Sequence, residues 1–418
     1  VSRRAPGVRR RAYVALLALL APGSALLATP ALLSGCGDDD SIVDAGVDAA
    51  AVADAGTDAA PDAGPPVDCG PRAPATRLVV TADWLARSLT LFDEARLKDG
   101  TPYACAREAT IALPDDAPGP IELEITPDGR TAVVAVGPGF FDTIIGVGLG
   151  ARRVPDGGGL LLVDLETRTV RARIATPSAP MSIAITPDGT RAFTADFGVE
   201  SARGNTVSII DLVTGTLLES VDVGPLPEQI VLDETGTLGL INLDGTGAIR
   251  TFDPSDLAGT LSAPLRIGGD PGDTAFVPGT GRALITRSLM PAGYTVIDVS
   301  NPGAPNIVAE VPLVGIAYGA TLIPGTTDVL VTIGAGPSRL LRVSLATPTP
   351  MTVAEWPLGA ADMRSSIPLG VAVSPDGSHA FVALPGPNVL VVVDLASGAT
   401  REVQWLSAVG PTYAAVMP

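Results

Sequence analysis

The sequence predicts an all-β domain, and three observations predict it. A turn of the form Ile125-Thr126-Pro127-Asp128-Gly129 recurs as Ile185-Thr186-Pro187-Asp188-Gly189 and Val373-Ser374-Pro375-Asp376-Gly377. Degenerate copies sit at residues 232–236, 276–279, 322–325 and 416–418. Seven residues before each anchor stand Pro120, Pro180, Pro227, Pro271, Ala317, Pro368 and Pro411. Between proline and anchor, alternate positions are apolar, which is the period of a strand. Successive anchors lie 43 to 60 residues apart, the size of a four-stranded propeller blade. The fold class is therefore a seven-bladed β-propeller of antiparallel blades.

The chain opens with an address. Arg3, Arg4, Arg9, Arg10 and Arg11 precede an apolar run that ends at Leu33-Ser34-Gly35-Cys36. A basic start, an apolar middle and small residues before a cut site describe a secretory signal, here residues 1–35. Leu-Ser-Gly-Cys resembles the bacterial lipobox. That resemblance implies cleavage before Cys36, acylation of Cys36, export, and attachment to a bacterial membrane, with the outer membrane or cell surface favoured.

Residues 36–76 follow as the lipidated cysteine and a linker. Asp38, Asp39 and Asp40 lead into repeated Asp-Ala-Gly and Asp-Ala-Ala units without a basic or aromatic residue up to Val67. Such a stretch cannot bury a core and repels itself. Its 31 residues from Gly37 to Val67 would span roughly 30 Å as a flexible spacer. Cys69 and Cys105 remain as an even pair, expected to be bridged in an oxidising compartment.

Residues 77–418 form the propeller. After each turn comes a second strand, such as Thr131–Val136 or His379–Leu384. A third strand ends in Asp at 93, 164, 211, 253, 298 and 394, where the side chain suits a turn cap. Residues 78–113 supply strands two, three and four of a blade, and Thr412–Met417 supplies the missing first strand. Pairing the chain's two ends would close the ring and remove sheet edges. In this geometry the first strand is innermost. The Pro-Asp-Gly turns lie on one face, and the longer loops lie on the other. These repeats resemble the YVTN-type β-propeller repeat found also in lactonase-like propellers. The resemblance implies the fold and a ligand at the loop face, and it is weak for activity because such repeats serve many functions.

Composition narrows the function. The net charge is -18, against nucleic acid as a partner. A single histidine counts against His-rich metal sites and against Ser-His-Asp or Cys-His catalysis. That residue, His379, falls at a polar position just past a turn and is expected to be a solvated edge residue.

Candidate site residues come from departures within the repeat. Five residues before the anchors stand Glu122, Ser182, Gln229, Asp273, Gly319, Gly370 and Tyr413. Three before them stand small residues, except for Glu124. Glu122, Gln229, Asp273 and Tyr413 are expected at the channel mouth as ligand contacts. Glu122, Glu124 and Asp273 are the candidate ligands of a hard cation such as Ca²⁺, set against a water-filled polar channel. The longest insertion, residues 137–159, carries Phe140, Phe141, Arg152 and Arg153, a candidate contact patch set against a loop that packs on itself. Glu200, Arg203, Arg287, Asp362 and Arg364 fall in neighbouring loops.

The expectation is a lipid-anchored, monomeric binding or scaffold module that requires no cofactor. Its ligand would be a protein, a glycan or a small molecule at the loop face. The alternative is a metal-assisted lactonase or other hydrolase on the same propeller.

Overall fold

A computed structural model describes residues 68–137, 158–199, 202–288, 290–359, 368–405, 407 and 409–418. Seven four-stranded antiparallel sheets form the domain, and each is one blade. Blade 2 shows the pattern, with strands Pro120–Ile125, Thr131–Val136, Gly159–Asp164 and Thr169–Ala175 in spatial order. The innermost strands of blades 3 to 7 are Ser182–Ile185, Pro227–Leu232, Pro271–Val277, Ile316–Leu322 and Val371–Val373.

Blade 1 joins both ends of the chain. Its innermost strand is Pro411–Val416, paired antiparallel with Leu78–Asp83, so Val80 faces Ala415 and Thr81 faces Ala414. The closure is the one expected from the split repeat. Two short helices, α1 (Glu94–Lys98) and α2 (Tyr103–Ala106), lie between the third and fourth strands of this blade. They fasten it to blade 7. Lys98 Nζ pairs with Asp376 at 2.9 Å, and the Arg401 guanidinium donates to the Leu97 carbonyl. Cys69 and Cys105 form a disulfide that ties the amino-terminal arm to α2, with Cα atoms 5.4 Å apart. Because Asp376 belongs to a Pro-Asp-Gly turn, the arm enters on the turn face.

Alternation in the strands builds the core between blades. Leu123 and Ile125 pack toward blade 1, among Val80, Leu89 and Leu91. Ile183 and Ile185 pack toward blade 2 in the same way. Seven apolar clusters of this kind occupy the seven gaps around the ring. The burial of Val, Ile and Leu at these gaps is the main force that holds the wheel together.

The turns follow their chemistry. Asp128 Oδ1 accepts from Thr126 Oγ1 at 2.6 Å and from the Arg130 N–H at 3.0 Å. Gly129 adopts φ +71°, a left-handed conformation that L side chains rarely take. All six Asp residues at the ends of third strands accept a backbone N–H two or three residues on. They are turn caps, as expected. His379 begins a second strand and shares a 2.8 Å hydrogen bond with Ser378 through Nδ1. It is half-buried and not fully solvated, which lowers its pKa through desolvation.

Candidate functional site: an acid-lined axial cavity

The innermost strand of each blade has one edge paired within the blade. Its other edge faces the channel and needs partners for its N–H groups. Side chains of the preceding blade supply them. Glu122 Oε1 accepts the Ile183 N–H at 3.1 Å and Ser182 Oγ at 3.0 Å. Ser182 Oγ in turn accepts the Ile230 N–H at 3.3 Å. Asp273 Oδ2 accepts the Ala320 N–H at 2.9 Å. One step down, Glu124 Oε2 accepts the Ile185 N–H at 2.8 Å. In blades 2, 3 and 5 the position five before the anchor thus reaches the residue four before the next anchor.

Asp273 is held hardest. Its Oδ1 accepts from Gln229 Nε2 at 3.0 Å and from the Thr274 N–H at 2.7 Å. At the same level Gly370 leaves room for Tyr413. A Cβ on Gly370 would lie 2.4 Å from the Tyr413 ring.

These residues share one cavity of about 890 Å³, lined by Glu122, Glu124, Gln229, Asp273 and Tyr413. The structure therefore brings together all five channel candidates. The cavity runs to Pro187 and Pro278 and so reaches the turn face. Toward the loop face, Trp84, Ile121, Met181, Ile316 and Leu369 converge from five blades as one buried apolar cluster. The residue after each repeat proline supplies three of them. This differs from the expectation that the channel candidates serve the loop face. Apolar side chains one position earlier on the inner strand occupy that end.

Burial shapes the electrostatics. Desolvation pushes Glu122 well above the usual carboxylate range, and the nearby Asp273 and Glu124 charges add to it. Glu124 and Asp273 rise to about 7, again mainly through burial. No ion pair among the described residues includes any of these three carboxylates. Nor do three or more His, Cys, Asp or Glu side chains among the described residues form a group that could hold a metal ion. The trio Glu122, Glu124 and Asp273 lines one cavity without making such a group, because each carboxylate turns toward the N–H edge of the next blade.

Other candidates fare differently. Phe140, Phe141, Arg152 and Arg153 lie outside the described residues, as do Cys36, Glu200, Asp362 and Arg364. Arg203 is exposed. Arg287 is not an open loop residue. It ends a strand, is 3% exposed, and donates to the carbonyls of Tyr294 and Val311. Among the described residues five buried acids escaped the sequence reading: Asp83, Glu94, Asp196, Glu228 and Asp244. Asp83 accepts from Thr81, Ser88 and Thr90, and Asp196 accepts from Thr194, Thr206 and Ser208. The shared Thr-Ala-Asp of second strands was the available signal for Asp83 and Asp196.

No family model and no curated protein matches the chain. Solved structures do. A periplasmic gluconolactonase from Pseudomonas aeruginosa superposes with a TM-score of 0.62 at 16% identity, covering 82% of this chain and 99% of that one. A putative 6-phosphogluconolactonase from Bacteroides uniformis gives 0.61 at 15% identity, covering 81% and 98%. A functionally unknown protein from Desulfotomaculum acetoxidans gives 0.61 at 15%, with the same coverage. At these identities the likeness is one of fold, a seven-bladed β-propeller.

Proposed function

We propose that this chain is an exported, lipid-anchored binding module that takes a small molecule into its axial cavity from the turn face. The observation that carries the binding reading is the bonding of Glu122, Glu124 and Asp273 to neighbouring backbone N–H groups. Carboxylates held this way are fixed acceptors suited to recognition, built into the same contacts that fasten the blades. The anchor reading rests on the basic start, the apolar run and the Leu-Ser-Gly-Cys36 ending. Two or more acyl chains on Cys36 would make attachment stable. The acidic linker would hold the domain off the membrane. The module acts as a monomer, requires no cofactor, and does not bind nucleic acid, in keeping with its acidic charge. The YVTN-type repeat remains the best description of its units.

A second reading is a metal-assisted lactonase or other hydrolase. Its support is the fold shared with the gluconolactonase and the putative phosphogluconolactonase. One experiment separates the two. Full-length protein in detergent should hydrolyse glucono-δ-lactone no faster than the Glu122→Gln/Glu124→Gln variant. A rate that drops at least about tenfold in the variant would put the enzyme in place of the binding module. The anchor is tested by fractionation. Cys36→Ser should move the protein from membranes to the soluble fraction, and persistent attachment would rule out lipidation there.

A further inference from the structure

We infer that the axial cavity binds a protonated primary amine with an apolar body, an alkylammonium, entering from the turn face. The inference rests on the reading of the cavity as the ligand site and names the chemistry it takes. Three acceptors in the cavity are unfilled. Glu122 uses only Oε1 and Glu124 only Oε2 in their hydrogen bonds to the next blade, which leaves one oxygen of each open. Gln229, 8% exposed, gives its amide N–H to Asp273, and its carbonyl oxygen has no hydrogen-bond partner among the described residues. None of these three oxygens is sealed from the cavity space. With Glu122 and Glu124 ionised, as a bound cation favours, the three acceptors match the three N–H donors of an ammonium group, which has no acceptor of its own.

Charge points the same way. Among the described residues the one guanidinium on the cavity lining, Arg282, donates to the Thr347 carbonyl and pairs with none of the cavity carboxylates. A cation in the cavity would relieve the mutual repulsion of Glu122, Glu124 and Asp273. Asp233 and Glu234 lie on the lining toward the turn face and would draw cations toward it. Val231, Ala275, Phe276 and Leu322 supply apolar wall for an alkyl chain, and Tyr413 lines the cavity beside them. A divalent metal fits less well, since Ca²⁺ asks for 6–8 oxygens.

Calorimetric titration of the full-length protein with n-hexylammonium chloride tests this, with hexan-1-ol, sodium hexanoate and CaCl₂ as comparisons. Hexylammonium should bind at least tenfold more tightly than the alcohol or the acid. The Glu122→Gln/Glu124→Gln variant should lose at least tenfold. Thr321→Lys keeps every carboxylate bond to the next blade and supplies its own ammonium within the cavity, so it should abolish hexylammonium binding and raise Tm. Equal binding of hexan-1-ol, binding unchanged in both variants, or full displacement of hexylammonium by equimolar CaCl₂ would each overturn the inference. Failure of hexylammonium to bind would overturn this assignment alone. Lactone turnover that depends on Glu122 and Glu124 would overturn the binding reading beneath it.

Discussion

Glu122 of blade 2 accepts the backbone N–H of Ile183 in blade 3 at 3.1 Å. The two residues are 61 positions apart in the chain, and they meet because adjacent inner strands run side by side around the axis. One side chain thus satisfies an edge that a closed ring of sheets would otherwise leave unpaired. The same contact between Asp273 and Ala320 repeats it three blades on.

Shortening that side chain should loosen the ring. Glu122→Ala leaves the Ile183 N–H without its acceptor, and the cost should be about 1–3 kcal/mol. Glu122→Gln keeps an oxygen acceptor and should lose less than half of that. Thermal unfolding of the two variants beside the parent checks the order.

Stability should fall as pH rises from about 4 to 7. Glu124 and Asp273 start from ordinary values of 4.5 and 3.8 and reach about 7 in the folded protein. A raised folded pKa means that the folded state holds protons the unfolded state has released. The contribution is therefore fully present below the unfolded values and lost as pH passes through about 7. Tm should be higher at pH 5 than at pH 8, and Asp273→Asn should flatten the slope. A slope unchanged by Asp273→Asn would assign the effect elsewhere.

Reduction of Cys69–Cys105 should destabilise the closure. The bridge closes a 36-residue separation, for which the chain-entropy account gives about 3–4 kcal/mol. Cys105→Ser should lower Tm to the value seen with reductant, and reductant should then have no further effect. Two free thiols by mass spectrometry in the untreated protein would refute the bridge.

Gly370→Ala should clash with Tyr413. The added Cβ would fall 2.4 Å from the ring, and overpacking of this kind costs about 1–3 kcal/mol. Tyr413→Ala in the same chain should recover most of the loss. Comparing Tm for the two single variants and the double variant measures the coupling directly.

Much of the fold was legible because a repeat writes its geometry many times over. The proline seven before six of the seven anchors, the alternation up to Ile125 or Val373, and the split unit at the ends fixed blade count and closure. The six Asp turn caps were equally readable, since a side chain two residues from its N–H partner needs no tertiary information. The site was legible only in part. Glu122, Gln229, Asp273 and Tyr413 stood out as departures at one repeat position, and they do share a cavity. The direction of that cavity was not readable. Ile121, Met181 and Leu369 look like ordinary apolar residues until five blades bring them and two neighbours to one axis.

Sequence alone determined the wheel, because strand period, turn chemistry and repeat length are local properties that each copy states independently. Tertiary structure decided what the channel acids do. A carboxylate can bind a cation, act as a base or cap an N–H, and the choice depends on what lies beside it in the neighbouring blade. For Glu122, Glu124 and Asp273 that neighbour is a backbone edge, so each acid belongs in part to the architecture, and only Glu122 and Glu124 keep an oxygen over for the cavity.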